Sequence, residues 1–517
     1  MIVIRIRIDV SYEHSIKRKY FYQREFIGYN TCMSRPRHDY SFDWHGLVFT
    51  LKLVAFCAVM GSFGHYGLLY AQSVTIADSP TPDTVQTPVK PSVPFSTSTP
   101  PRVIKTLTIA DVVPQTGTFI VADLSAMRVT LYQDGTSTAV YPILTKGKPG
   151  TPWETPAGFY SIQTKEENHL STIGNVYMPY SMQFYGNYFI HGWPYYADGT
   201  PVAGTYSGGC IRLSTEDAAK VYAFATVNTK LFVYDPYVTT ALSPITITNT
   251  HPPTLSAESY LVADIDTGDV YLDQNAQQQE PIASVSKLIT ALVANEVISF
   301  DKKIPVHEGY VLPKPDPNDV RPKKFLIGDL LYPLLMESSN GVADALADYY
   351  GTDGFVRLMN TTARSLDMQS THFAEPSGLS PENVSTSDDL FRLAVYLADK
   401  KSFIWDITRT PAKNLVASDG SSYPLANFNK FIGRPDFIGG KVGYTDEADH
   451  TMVSIFSFTV GSETHRIAFI VLQSKDEVVD TKNLVAWFAK ASTPGSTMSN
   501  TTCASCAQSH THRKIEI

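Results

Sequence analysis

Between Ile76 and Thr106 the chain reads IADSPTPDTVQTPVKPSVPFSTSTPPRVIKT, with seven prolines among many serines and threonines. So polar a segment has too little apolar surface to offset the entropy of ordering, and proline favours extended, polyproline-like backbone over a packed core. Thirty such residues reach on the order of 90 Å at ~3.1 Å per residue. A second polar run, TTALSPITITNTHPPTLS, breaks the chain again. The 517 residues are thereby divided into two blocks, 112–236 and 256–492, each long enough for its own core, with linkers at 72–111 and 237–255.

The first block alternates apolar and polar residues in short runs, TFIVADL, MRVTLY and AVYPIL, with Asp134-Gly135 between the second and third. Period-two alternation around a DG turn predicts a hairpin and a mostly β domain. One helix is expected at STEDAAKVYAFA, where Ser214 is placed to cap and Asp217 stands near the capping-box position. The second block opens with β-like YLVADIDTGDVYL and passes through helical periodicity in SVSKLITALVANEVI, DLLYPLLMESS and DDLFRLAVYLADKK. It closes on β-like TMVSIFSFTV and HRIAFIVLQS, the pattern of an α/β domain with helices packed on a sheet.

The first 45 residues carry eight Lys or Arg and precede the apolar run at 46–71. That order predicts a membrane anchor or a signal segment, and so an extracytoplasmic protein; a start at Met33 gives a shorter basic region before the same run. Lys52 and His65 interrupt the run, and Lys52 lies near enough to its basic end to snorkel. The net charge of −8, from 42 basic and 50 acidic residues, gives no footprint for nucleic acid. The tail at 493–517 is Ser/Thr-rich; its Cys503-x-x-Cys506, His510 and His512 are zinc-ligand types, but without a core around them the reading is a disordered tail or a simple disulfide. No phosphate-cradling glycine loop and no inward cluster of metal ligands is found, so neither cofactor nor metal is expected.

Between Cys57 and Cys503 the chain has one cysteine, Cys210, in the stretch SGGCIRL. A lone thiol in an exported protein is exposed to oxidation, so its presence suggests use. A thiolate needs a base or a lowered pKa, and His191 in NYFIHGWP stands nineteen residues upstream. Gly208 and Gly209 leave the backbone open to a substrate carbonyl, and N–H groups around Cys210 can hold an oxyanion. No carboxylate stands at an obvious spacing to orient His191, which leaves that task to a main-chain carbonyl. Together with DLSAMRVTLYQDGT and KGKPGTPWETPAGFYSI, these motifs resemble the L,D-transpeptidase (YkuD-type) family of cell-wall enzymes over about 125 residues. The resemblance implies that Cys210 is the acylated nucleophile and His191 its base, that Ser207 and Gly209 shape the site, and that Arg212 is a substrate or structural contact. Gly208 departs from the His or Arg that many members carry.

In the second block PIASVSKLIT holds Ser284-x-x-Lys287, three residues apart on an expected helix and so one turn apart on one face. A desolvated lysine can take the serine proton. ESSNGVADALA adds Ser338-x-Asn340 in a turn between helices, and GGKVGYTDE adds Lys441-x-Gly443 beside a strand. The order SxxK, SxN, KxG is that of penicillin-binding proteins and serine β-lactamases. With IDTGDVYL and EPSGLSPENVSTSDDL, the region resembles the D-alanyl-D-alanine carboxypeptidase family over about 235 residues. The resemblance implies a penicillin-binding/β-lactamase-like fold with Ser284 as nucleophile and Lys287 as its base. It implies that Ser338 and Asn340 assist proton transfer and substrate placement, that Lys441 binds substrate, and that β-lactams acylate the site. Val442 replaces the family's usual threonine; Thr445 or Lys441 is the candidate to compensate. The chain is thus expected to be a two-domain peptidoglycan enzyme that trims D-Ala from stem peptides and cross-links them, with a D,D-endopeptidase or a stem-peptide-binding module as alternatives for the second block.

Overall fold

The computed structural model describes residues 102–104, 107–236, 242–248, 251–299, 302–306 and 322–494, all within one compact unit, Val93–Ile517. The expectations for 1–45, 46–71, most of the first linker, and Cys32, Cys57, Cys503, Cys506, His510 and His512 lie outside the described residues. Among those described, no helix is long and apolar enough to cross a membrane.

The first block is sheet-rich. A five-stranded sheet runs in the order Thr136–Pro142, Arg128–Gln133, Thr118–Asp123, Lys230–Tyr234, Gly158–Ser161, with a parallel pair only between the third and fourth. Alternation sets its faces: Ile120 and Ala122 join the main core with Leu231 and Val233, while Phe119, Val121 and Phe232 turn to the other side. The strands either side of Asp134-Gly135 pair as the hairpin that the DG turn predicts. A second sheet joins Thr164–Ser171, Val176–Tyr185, Tyr188–His191 and Ile211–Arg212, the last two parallel. The helix Thr215–Phe224 starts where Ser214 accepts a hydrogen bond from the Asp217 N–H.

In the second block one antiparallel sheet is ordered Arg102–Val103, Asp269–Gln274, Ser259–Asp264, Glu463–Ser474, Asp449–Val460, Phe437–Thr445. Successive residues again separate two cores. Leu261 and Ala263 face the helices Lys287–Val297, Ile327–Met336, Asn340–Tyr350 and Ser387–Lys400, whereas Tyr260 and Val262 face Leu484, Val485 and Phe488 of the helix Glu477–Ala491. The helix-side core continues without a break into the first block, through Tyr185 and Tyr188 to Val297.

Two features depart from the sequence expectations. The end of the first linker is part of the fold: Arg102 and Val103 pair with Val270 and Asp269, and Arg102 makes ion pairs at 2.6 Å with both Asp273 and Asp388. The second linker likewise supplies the strand Ile245–Ile247, which pairs with Ser492–Pro494.

Candidate catalytic centres

The helix expected to carry Ser284 begins later than its periodicity suggests. Ala283–Ser286 form a 3-10 turn and the α-helix starts at Lys287. In a 3-10 turn residues three apart eclipse one another, so Ser284 and Lys287 meet closely. Lys287 Nζ lies 2.8 Å from Ser284 Oγ and 2.7 Å from Asn340 Oδ1, and it also contacts the Ser377 carbonyl. Burial pushes its pKa down to about 7, against the opposing pull of Glu375 and Asp344. A neutral amine can donate to the two fixed acceptors, Asn340 and Ser377, and keep its lone pair for the Ser284 hydroxyl.

Around this pair the backbone is held under strain. Ala283 and Ser338 sit at φ +46° and +57°, in the left-handed region that non-glycine residues avoid. Ser338 follows the helix Ile327–Met336, and its Oγ accepts from Lys441 Nζ at 2.8 Å. Lys441 is buried and its pKa is driven well below the ordinary lysine value by desolvation, then by Lys287. It lies within, not beside, the edge strand Phe437–Thr445. On that strand Gly443 has a spatial reason: an added Cβ would stand 2.6 Å from Thr451 Oγ1 and 2.8 Å from Ser284 N. Val442 turns to the opposite face and packs on the second core, and Thr445 Oγ1, at the strand end, accepts from the Ala448 N–H at 3.1 Å.

The sequence reading gave no role to Glu375 and Ser377 of EPSGLS. Glu375 accepts from the N–H groups of Ser377 at 2.6 Å and Gly378 at 2.5 Å, which fixes the loop whose carbonyl meets Lys287. Gly378 packs so tightly on Ala283 that no Cβ fits. The local signal was the acidic-Pro-Ser-Gly run ahead of a glycine-dependent turn.

The cysteine centre is assembled by the parallel pairing of two short strands, Ile190 with Ile211 and His191 with Arg212. Ile190 and Ile211 are buried in the core, so alternation turns His191 and Arg212 to the other face, with Cys210 one residue before Ile211 on that same side. Cys210 is half-buried against Val176, Met178 and Phe189, and is the free cysteine among the described residues. Its Sγ lies 3.7 Å from the Asn187 carbonyl. His191 Nδ1 stands 2.6 Å from the Gly192 carbonyl, which can only accept, so Nδ1 carries the proton and Nε2 the lone pair. Burial holds the imidazole neutral, with its pKa down to about 3, and pushes the thiol up to about 11.

Ser207 ties the loop together: its Oγ donates to the Cys210 carbonyl at 2.5 Å and accepts from the Gly209 N–H at 3.0 Å. That N–H is therefore engaged and is not free for an oxyanion. Gly209 at φ +107° is required twice over, because an added Cβ would lie 2.2 Å from the Tyr188 ring. Gly208, by contrast, faces open space, so its departure from the family pattern removes a side chain without leaving a gap. Arg212 lies 5.9 Å from the Trp193 ring centroid; its Nε and Nη1 are buried and make no hydrogen bond among the described residues, and neither does Thr145 Oγ1 beside it. Thr145 was not singled out from the sequence, since its pairing opposite Arg212 is long-range. Thr155 was also missed; its hydroxyl donates to the Gly209 carbonyl at 2.8 Å. No group of three His, Cys, Asp or Glu suited to a metal occurs among the described residues.

Comparison with known proteins assigns residues 117–233 to the L,D-transpeptidase catalytic domain and residues 246–476 to the D-alanyl-D-alanine carboxypeptidase family. The chain is similar to a D-alanyl-D-alanine endopeptidase of Pseudomonas aeruginosa, 34% identical over 38% of this chain and 66% of the relative. It is similar to a D-alanyl-D-alanine endopeptidase of Escherichia coli, 31% identical over 40% of this chain and 69% of the relative. A D-alanyl-D-alanine carboxypeptidase of Mycobacterium tuberculosis is 31% identical over 38% and 69%. The chain thus spans about two thirds of the length of these relatives. It belongs to the D-alanyl-D-alanine carboxypeptidase family and carries an L,D-transpeptidase catalytic domain ahead of that family's domain.

Proposed function

We propose that the chain is a bifunctional peptidoglycan enzyme of the bacterial cell envelope, in which a serine D,D-peptidase prepares the acyl donor for a cysteine L,D-transpeptidase. The observation that carries the reading is the contact of a desolvated Lys287 with Ser284, Asn340 and the Ser377 carbonyl, on the same compact unit as Cys210 and His191. Ser284 Oγ attacks the carbonyl ahead of the terminal D-Ala and passes its proton to Lys287. The C–N bond breaks, the leaving amine takes the proton, and water hydrolyses the ester to leave a tetrapeptide. Lys441 and the exposed edge of the strand Phe437–Thr445 receive the substrate as an added strand. β-Lactams acylate Ser284 by the same attack.

The tetrapeptide then enters the cysteine centre. Cys210 Sγ attacks the carbonyl before the last D-residue, its proton moves to His191 Nε2 and on to the departing D-Ala, and an amine of a second stem resolves the thioester into a cross-link. The unpartnered Arg212 and Thr145 atoms are suited to hold an acceptor oxygen of the donor stem. Linking both centres on one chain raises the local concentration of the shared intermediate.

A second reading of the serine centre, a D,D-endopeptidase, is favoured by Val442, which offers no hydroxyl to a terminal carboxylate and faces the second core. Mass spectrometry of pentapeptide muropeptides incubated with the full chain, and with its Ser284→Ala and Cys210→Ala variants, tests the scheme. Tetrapeptide should require Ser284, and cross-linked product should require Cys210. Cleavage of cross-linked dimers without release of terminal D-Ala would replace the carboxypeptidase step by the endopeptidase one. Cross-linking of supplied tetrapeptide, with no Ser284-dependent product of either kind, would reduce the serine domain to a binding module.

A further inference from the structure

The helix Lys287–Val297 begins at the serine centre and ends against the first domain. Its last residue meets the turn Gly186–Asn187, which lies directly ahead of the strand Tyr188–His191. Asn187 Nδ2 donates to the Val297 carbonyl at 2.7 Å, closing one of the acceptors that a helix C-terminus leaves open. Gly186, at φ +46°, packs so closely that an added Cβ would lie 2.7 Å from Val297 Cγ1. One residue earlier, the Tyr185 hydroxyl meets Thr362 Oγ1 of the serine domain at 2.8 Å. The same turn holds the nucleophile: the Asn187 carbonyl lies 3.7 Å from Cys210 Sγ. The loop that supports Gly209 rests on this helix as well, since Asn295 Nδ2 donates to the Pro152 carbonyl at 3.3 Å.

We infer that Gly186 and Asn187 are cross-domain positioning residues, through which the C-terminal end of the serine-site helix sets the placement and reactivity of Cys210. The inference rests on the reading of Cys210 as the nucleophile, but it concerns the thiol itself and not cross-linking. The turn fixes both groups that meet the sulfur from this strand, the Asn187 carbonyl and the Phe189 N–H, and the latter favours the thiolate. If the turn lifts from Val297, both contacts loosen. Losing the carbonyl disfavours the neutral thiol, but the N–H bond to a charged sulfur is the stronger of the two, so the net effect is a thiolate that is harder to form.

The test is the rate of iodoacetamide alkylation of the Cys210-containing peptide, followed by mass spectrometry in the full chain between pH 8 and 10, with the melting temperature measured in parallel. Asn187→Asp places an acceptor against the Val297 carbonyl and should slow alkylation roughly tenfold, more than Asn187→Ala, with the pH profile displaced upward. The added carboxylate charge by itself disfavours the thiolate, so the neutral Asn187→Ala carries the comparison: a role confined to folding predicts a lower melting temperature with alkylation rate and pH profile unchanged in that variant. Gly186→Ala should slow alkylation similarly, and Gly186→Ala/Val297→Ala should recover most of the loss, because the clash goes while the φ strain stays. An alkylation rate and pH profile equal to wild type in Asn187→Ala overturn the inference. That variant is decisive even if Gly186→Ala unfolds, because the Asn187 side chain lies at the surface. A wild type that never cross-links, with alkylation still following Asn187, would remove the transpeptidase reading and leave this one standing.

Discussion

At the serine centre Lys287 already touches Ser284 and burial brings its pKa down to about 7, so that a large share is uncharged there, whereas at the cysteine centre burial lifts the thiol to about 11 and lowers the imidazole to about 3. One cause, loss of solvent, acts in opposite senses on the two chemistries. A lysine base is needed in its uncharged form, which burial favours; a cysteine nucleophile is needed charged, which burial opposes. The serine centre is therefore poised before substrate arrives. In the proposed mechanism the proton leaves Cys210 for His191 only as the carbonyl is attacked, and the buried Arg212 and Thr145 atoms that make no hydrogen bond among the described residues are the candidates to meet the substrate.

The largest effect that can break this contrast is at the poised base. Lys287→Ala should slow acylation of Ser284 by a fluorescent penicillin by about a thousandfold or more, with Cys210 alkylation unchanged. Retained acylation would mean that another group takes the proton. Next, Gly209→Ala forces a Cβ into Tyr188 at a strained φ and should lower cross-linking of supplied tetrapeptide by roughly a hundredfold, while Ser284 acylation persists. The pH dependences should then diverge. With Lys287 acting as the neutral amine, as proposed, Ser284 acylation should level off above pH 7 and fall by about tenfold for each unit below it. Alkylation of Cys210 needs the thiolate and should keep rising by about tenfold per unit up to about pH 11. Coincident profiles would show that the two sites do not differ in the way their burial implies. The smallest effect is expected from Val442→Thr: a stability loss of about 1 kcal/mol, from a hydroxyl turned onto the second core, and a change in terminal D-Ala release below about threefold. A large gain in release would show that Val442 itself disfavours the carboxypeptidase step.

How legible each centre was follows from how far apart its parts lie. SxxK was readable because its members are three residues apart and a helical or 3-10 turn brings them together by itself. Ser338, Asn340 and Lys441 were readable only as motifs; their meeting depends on pairing and packing across more than a hundred residues, as in the bond from Lys441 to Ser338. The carbonyl that orients His191 was anticipated from the missing carboxylate, and Gly192, its immediate neighbour, occupies that position. Thr145, Thr155, Asn187 and the Ser377 carbonyl were not readable, because each acts through a tertiary contact that no local period encodes. The polar composition of 72–111 likewise concealed that two of its residues extend a sheet completed by residues far downstream.

That short strand has a mechanical consequence. Arg102 and Val103 precede the cysteine domain in the chain yet are fastened to the serine domain's sheet, by strand pairing and by the ion pairs to Asp273 and Asp388. A pull applied anywhere upstream of Arg102 is therefore borne first by the serine domain. Until those bonds yield, the strands that align His191 with Cys210 carry no tension.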